Sequence, residues 1–219
     1  MEFAYGEREL AYLRSRDTKL AAAIDRIGHV SREVDTDLFS SVIHHIIGQQ
    51  VSTAAQRTVW RRFLELTGGN VTAAAVCARS REELQALGMT WRKADYILDF
   101  AGRVRDGSFD VEALSSLPDE AVRVQLSSLR GIGPWTAEML MIFCMQRPDV
   151  VSYGDLAILR GMRMLYRRKT IDRKTFDRYR KRYSPYGTTA SLYLWAIAGG
   201  ALPELTDPAA PKKKGAKKL

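Results

Sequence analysis

Apolar residues recur at three- and four-residue spacing along almost the whole chain, and the polar residues that break the pattern are helix-starting types. Asp17 stands before Leu20, Ala23, Ile24 and Ile27, and Gly28 stops the run. Asp37 precedes Phe39, Val42, Ile43, Ile46 and Ile47, which share one helical face until Gly48 interrupts it. Ser52 opens a third run through Trp60, Phe63 and Leu64 to Gly68 and Gly69. Short oxygen-bearing side chains at these points accept hydrogen bonds from the first free N–H groups of a helix. Ser80 with Glu83 forms a capping box ahead of Leu84 and Leu87, and Thr90 opens a longer helix through Tyr96, Ile97 and Phe100. Pro118 and Pro134 sit in first-turn positions, and later helices begin near Asp155, Asp172 and Thr188. No segment alternates apolar and polar residues between turn signals, so the pattern predicts an all-α fold without a sizeable sheet.

Composition narrows the class. With 219 residues, 46% hydrophobic and 27% charged, the chain can bury a substantial core. It contains no apolar run long enough to span a bilayer. The first ten residues carry Glu2, Glu7 and Glu9 and read as no secretory signal. Cys77 and Cys144, each in an apolar helical segment, are expected as buried free thiols. The net charge of +9 favours a polyanionic partner. Five of those charges are lysines between Lys212 and Lys218, so a modest excess of four remains elsewhere. Residues 207–219 are expected to form a disordered basic tail that adds weak, salt-sensitive affinity for DNA.

The most informative stretch runs from Leu126 to Glu138. A helix is expected to end near Ser128, Gly131, Ile132 and Gly133 to form a tight turn, and a new helix to start at Pro134. Two glycines one residue apart permit positive φ and close approach of another molecule. The helix that follows points free N–H groups and the positive end of its dipole outward, a geometry suited to a phosphate. A plain corner between two helices has the same signals. The order Leu129, Gly131, Ile132, Gly133, Pro134, Trp135, Thr136, Ala137 resembles the hairpin of the helix-hairpin-helix DNA glycosylase superfamily. That family is also named for a Gly/Pro-rich loop ending in an aspartate about twenty residues further on, where this chain has Val150 to Asp155. Upstream, Ile47 to Ser52 is similar to the family's wedge segment, and Tyr186 to Gly200, with Leu192 to Trp195, to its last helix. The four landmarks span roughly residues 38–200 in the family's order. Among its branches the chain most resembles the 3-methyladenine DNA glycosylase II type, in a compact form without the N-terminal sheet domain of larger members.

The resemblance implies a two-lobed helical fold, with a central lobe of about residues 52–150, a second lobe built from both parts of the chain flanking it, and a cleft between them. It implies that the protein flips damaged bases out of duplex DNA and hydrolyses their glycosidic bonds, leaving abasic sites for base excision repair. Asp155 would be the catalytic carboxylate. Read locally, the same residue is an N-cap, and the two roles are compatible. A fixed carboxylate stabilises the positive charge that builds on the sugar, or activates a water there. A base alkylated at N3 or N7 already carries positive charge and leaves as a neutral species. One carboxylate is then enough, which favours alkylated bases of the 3-methyladenine and 7-methylguanine kind. Trp135 stands where bifunctional members have a Schiff-base lysine, so the resemblance implies hydrolysis without strand cleavage.

The aromatic rings of Trp135, Trp195 and Tyr153 are candidate walls for the base pocket, since an electron-rich face attracts a cationic base, and equally candidates for the core. By position Gln50 would be the wedge that replaces the flipped base; its alternative is a loop glutamine bonded to backbone. The N–H groups of Gly131 and Gly133 and the Thr136 hydroxyl are the phosphate-binding candidates. The family's hairpin also holds a monovalent cation, and by resemblance the main-chain carbonyls of Ser127, Leu129 and Ile132 would bind Na+ or K+. No cofactor is expected for the chemistry. No cysteine follows Asp155, so an iron–sulfur cluster is not expected either. His44 and His45, adjacent and therefore on different helix faces, are assigned to packing or solvent. The expected partner is double-stranded DNA with damaged bases, met by a monomer without membrane attachment in the compartment of the chromosomal DNA, cytoplasmic or, in a eukaryote, nuclear. Glycosylase action on deaminated purines and a non-catalytic damage-binding module are the alternatives.

Overall fold

The computed structural model describes residues 1–210. Twelve α-helices occupy them: α1 Glu7–Arg16, α2 Thr18–Ile27, α3 Leu38–Gly48, α4 Thr53–Leu66, α5 Ala73–Cys77, α6 Arg81–Ala86, α7 Trp91–Arg105, α8 Asp119–Ser127, α9 Pro134–Phe143, α10 Leu156–Tyr166, α11 Arg173–Tyr183 and α12 Gly187–Ala198. Among the described residues there is no strand, as the spacing of apolar residues predicts, and no helix long and apolar enough to cross a membrane.

The caps explain where the helices start. Asp17, Asp37, Ser52, Ser80, Thr90, Asp155 and Asp172 each accept first-turn N–H groups through their side chains. Ser80 and Glu83 form the reciprocal capping box. Pro118 lies just outside α8 as its N-cap, whereas Pro134 is the first residue of α9. Two helices carry no such signal in the apolar pattern. The α1 helix starts after Gly6, with Glu9 reaching back to the Gly6 N–H, and α5 is a five-residue turn capped by Thr72.

The chain divides into two compact units. The first comprises Met1 and Glu33–Gln146; the second comprises Glu2–Arg32 and the described residues from Arg147 onward. The first unit therefore starts earlier than residue 52, because α3 packs on α7 and α9 and belongs with them. Its interior includes Val42, Ile43, Ile46, Phe63, Ile97, Phe100, Leu126 and Leu140. Cys144 is buried, but Cys77 is only half-buried, since α5 is too short to hide more than Val76.

The second unit surrounds a core of Leu13, Leu20, Ile24, Ile158, Met162, Phe176, Tyr183, Tyr193, Leu194 and Ile197. At its centre α10 crosses α12 so closely that a Cβ on Gly161 would lie 2.2 Å from the Leu194 carbonyl oxygen. Asp207, expected in a disordered tail, is instead held by Arg163 through both carboxylate oxygens. The rest of that expected tail, 211–219, lies outside the described residues.

Candidate active site

The Asp155 carboxylate lies in the second unit at the start of α10 and is 7% exposed. Its Oδ1 accepts the backbone N–H groups of Ala157 at 2.8 Å and Ile158 at 2.9 Å. The indole Nε1 of Trp195, on α12, donates to the same oxygen at 3.2 Å. The cap and the indole together hold Oδ1 in place, so the helix-capping role leaves the carboxylate available for a chemical one. The loop leading to it is tied to the first turns of α12. The Thr188 hydroxyl accepts the Val150 N–H at 3.0 Å and donates to the Arg147 carbonyl. The Ser191 hydroxyl donates to the Val150 carbonyl at 3.0 Å, and Asp149 accepts the Gly187 N–H at 3.1 Å and the Ser184 hydroxyl at 2.6 Å.

Of the aromatic candidates, Trp195 meets Asp155, as just described. Tyr153 is half-buried, with Phe176 edge-on at 5.0 Å and the Arg173 guanidinium over its ring at 5.4 Å, so part of its surface is already engaged. Trp135 belongs to the first unit and is 47% exposed, an unusual setting for an indole near the start of a helix. The basic residues after Asp155 are partly structural. Arg163 pairs with Asp207, Arg180 lies 3.9 Å from Asp149, and Arg182 bonds Asp17.

In the first unit the turn between α8 and α9 is built by two glycines that differ physically. Gly131 has φ +86°, and a Cβ there would lie 2.4 Å from the Tyr96 ring. Gly133 has φ −87° in extended backbone, so the positive φ allowed by its sequence is not used, and a Cβ there would meet nothing within 4 Å. Among the described residues neither N–H has an acceptor. Thr136, in the first turn of α9, is buried. The Leu129 carbonyl accepts the Ile132 N–H at 3.0 Å, and the buried Ser127 hydroxyl has no partner among the described residues. The oxygens identified at this turn, the Leu129 carbonyl and the Ser127 hydroxyl, are neutral. The described residues contain no group of three or more His, Cys, Asp or Glu that could hold a metal.

Gln50 lies just past α3, exposed and in a left-handed conformation at φ +55°. Lys93, Gln49 and Tyr96 hold this segment, Tyr96 being expected from the sequence only as part of the apolar run of α7. Lys93 Nζ donates to the carbonyls of Ile47 at 2.8 Å and Gln49 at 2.7 Å, and Gln49 Nε2 donates to the Gly131 carbonyl at 2.6 Å. Tyr96, one turn along α7 from Lys93, is the ring packed under Gly131. Burial, with the Arg92 charge adding to it, holds the Lys93 ammonium below the usual lysine range. The two histidines are packing residues: His44 leans on Trp60 and bonds Gln56, and His45 bonds the Ser41 carbonyl. Burial lowers both imidazoles from their ordinary value.

The first unit thus carries a hairpin with two open N–H groups, and the second a capped and buried carboxylate. The family described as HhH-GPD superfamily base excision DNA repair protein matches residues 43–185, and the chain belongs to that superfamily. Within it, the chain falls among the DNA-3-methyladenine glycosylases, which are N-glycosyl hydrolases. DNA-3-methyladenine glycosylase 1 of Schizosaccharomyces pombe is 30% identical over 179 residues, covering 80% of this chain and 78% of its own. The solved structure of a DNA-3-methyladenine glycosidase from Bacillus halodurans superimposes with a TM-score of 0.84 at 32% identity, covering 91% of this chain and 93% of that one. A Schizosaccharomyces pombe 3-methyladenine DNA glycosylase solved in complex with abasic DNA gives a TM-score of 0.73 at 26% identity, over 86% and 95% of the two chains.

Proposed function

We propose that this protein, acting as a monomer on duplex DNA, hydrolyses the glycosidic bond of alkylated purines of the 3-methyladenine and 7-methylguanine kind and leaves an abasic site. The observation that carries the reading is the Asp155 carboxylate, 7% exposed and held by Ala157, Ile158 and the Trp195 indole. A carboxylate held this firmly needs no reorganisation when positive charge develops on the sugar, which is where electrostatic catalysis is largest. As the bond from the anomeric carbon to the base nitrogen breaks, its electron pair returns to the base. A cationic alkylated base thereby becomes neutral and needs no proton from an acid. The water oxygen bonds to the anomeric carbon, and its proton passes to Asp155 or to solvent.

Trp135 has no amine to attack the sugar, so the abasic strand stays intact. Its half-exposed indole offers a face on which an electron-poor base can stack. The N–H groups of Gly131 and Gly133 serve a backbone phosphate, and Gln50 enters the duplex where the base has left. The neutral oxygen donors of the α8–α9 turn suit a hard monovalent cation. Carbonyls of Ser127, Leu129 and Ile132 would hold Na+ or K+, adding positive charge beside that phosphate.

The test uses a duplex with one 7-methylguanine, wild type and Asp155→Asn side by side, with products resolved before and after alkali. Alkali-dependent cleavage by the wild type, lost in the variant while DNA binding persists, is expected. Binding without base release across alkylated and deaminated lesions overturns the enzymatic reading. Cleavage without alkali overturns the reading of Trp135.

A further inference from the structure

Lys93 is a cation withdrawn from water to bond two backbone carbonyls. The residue is 9% exposed, and its ammonium meets the Ile47 carbonyl at 2.8 Å and the Gln49 carbonyl at 2.7 Å. Lysines commonly approach the carbonyl end of a helix from solvent, where they gain a small dipole interaction at little cost. Desolvating an ammonium is expensive, and among the described residues its bonding partners are carbonyls, not a carboxylate. The cost is confined to one short segment, 47–49, at the end of α3. The next residue, Gln50, is exposed and holds a left-handed conformation, which a non-glycine residue sustains only when its surroundings fix it.

The same segment makes a second tie. Gln49 Nε2 donates to the carbonyl of Gly131, 82 residues away in the hairpin. Gly131 in turn rests on Tyr96, three residues after Lys93 and so on the same face of α7. The Arg130 guanidinium covers that ring at 5.3 Å. One turn of α7 thus underlies both the Gln50 segment and the phosphate-binding turn, and Gln49 joins the two directly. Each of these residues lies in the first unit, so the arrangement is internal to it.

We propose that Lys93 is a positioning residue which, with Gln49, couples the Gln50 segment to the hairpin. A backbone phosphate seated on Gly131 and Gly133 then fixes where Gln50 enters the duplex. The proposal rests on the reading of Gln50 as the residue that fills the vacated space. It predicts that Lys93 matters for extracting a stacked base and much less for hydrolysing one already unstacked.

The experiment compares single-turnover release of 7-methylguanine from a paired duplex and from a single-base bulge, for wild type, Lys93→Met, Gln50→Ala and the double variant. Methionine keeps an unbranched apolar stem and removes the donors. The expected result is that Lys93→Met lowers the duplex rate by about tenfold relative to the bulge rate, the size set by two buried carbonyls losing their donor. The double variant should be no slower on the duplex than the slower single variant, because both act on one step. Equal slowing on both substrates, or full multiplication of the two effects, overturns the proposal.

Should Lys93→Met fail to fold, Gln49→Met removes only the link to Gly131 and is judged by the same ratio. If the wild type releases no base at all, the catalytic reading fails by itself. The coupling is then judged by the fluorescence of 2-aminopurine beside an abasic analogue. A rise on binding wild type that is lost in both Lys93→Met and Gln50→Ala supports it, and a rise retained in Lys93→Met overturns it.

Discussion

The unit that carries Asp155 and the unit that carries the hairpin fix their functional segments by different means. Around Asp155 the ties are many and short, hydroxyls and backbone groups as well as the Asp149 carboxylate. Hydroxyls of Thr188 and Ser191 stitch the preceding loop to α12, and the crossing of α10 and α12 at Gly161 brings the Trp195 indole to the carboxylate. In the hairpin unit the ties are few, and one of them is charged: the Lys93 ammonium, the Gln49 amide and the Tyr96 ring under Gly131. A network of several bonds holds its group in one place, which suits a carboxylate that must stay still while charge develops. A clamp of two or three contacts suits segments that must meet a large, variable ligand in a fixed register.

The largest expected effect separates the two units by what they do. Asp155→Asn keeps an oxygen for the cap and removes the charge. Excision should fall about 10²–10³-fold, the range for a lost electrostatic stabiliser, while affinity for a duplex with an abasic analogue stays within about threefold. Single-turnover rates and a binding titration on the same preparation check it. A parallel loss of affinity would place Asp155 in DNA binding instead.

Next comes Gly161→Ala. The added methyl would stand 2.2 Å from the Leu194 carbonyl oxygen, which is backbone and cannot swing aside. The helices must part, at about 1–3 kcal/mol. In a chain of this size that lowers Tm by roughly 2–4 °C per kcal/mol, read in a thermal melt. Excision should fall further than stability alone explains, because Trp195 moves away from Asp155. Thr188→Val should cost less, about 1–2 kcal/mol. It orphans the Val150 N–H and the Arg147 carbonyl but leaves Ser191 and Asp149 in place.

Much of this was legible in the chain beforehand, for local reasons. Asp17, Asp37, Ser52, Ser80, Thr90, Asp155 and Asp172 announce their helices because capping is a contact between near neighbours. Asp155 and the hairpin glycines stand out because short motifs carry them. The helix after Gly6 and the turn at 73–77 escaped notice, since neither has a run of apolar residues long enough to show a period. Lys93 and Ser191 escaped for a different reason, and Tyr96 and Thr188 were legible only as members of helices, not by what they hold. Their partners lie between 35 and 46 positions away through the ties just described, and a lysine in a polar stretch of α7 gives no sign that it turns inward. Gly133 shows the limit of composition: the residue type permits a positive φ that the backbone does not adopt.

The smallest effect on stability is the most discriminating within the hairpin, and it divides its two glycines. Gly131→Ala meets both a φ of +86° and the Tyr96 ring at 2.4 Å, so about 1–2 kcal/mol of stability should be lost. Gly133→Ala meets neither: its φ is −87°, and a Cβ there has no neighbour within 4 Å. Among the described residues no side chain crowds position 133, and only its place as the α9 N-cap mildly favours glycine over alanine, so the variant's Tm should fall by no more than a few degrees. What the methyl would obstruct is a ligand approaching the open N–H groups. Affinity for duplex DNA should therefore fall several-fold with little change in melting, and the loss should appear on undamaged and damaged duplexes alike, because a phosphate contact carries no information about the base. Unchanged affinity in Gly133→Ala would mean that the phosphate does not come to this turn, and the anchor in the first unit would have to be sought elsewhere along its surface.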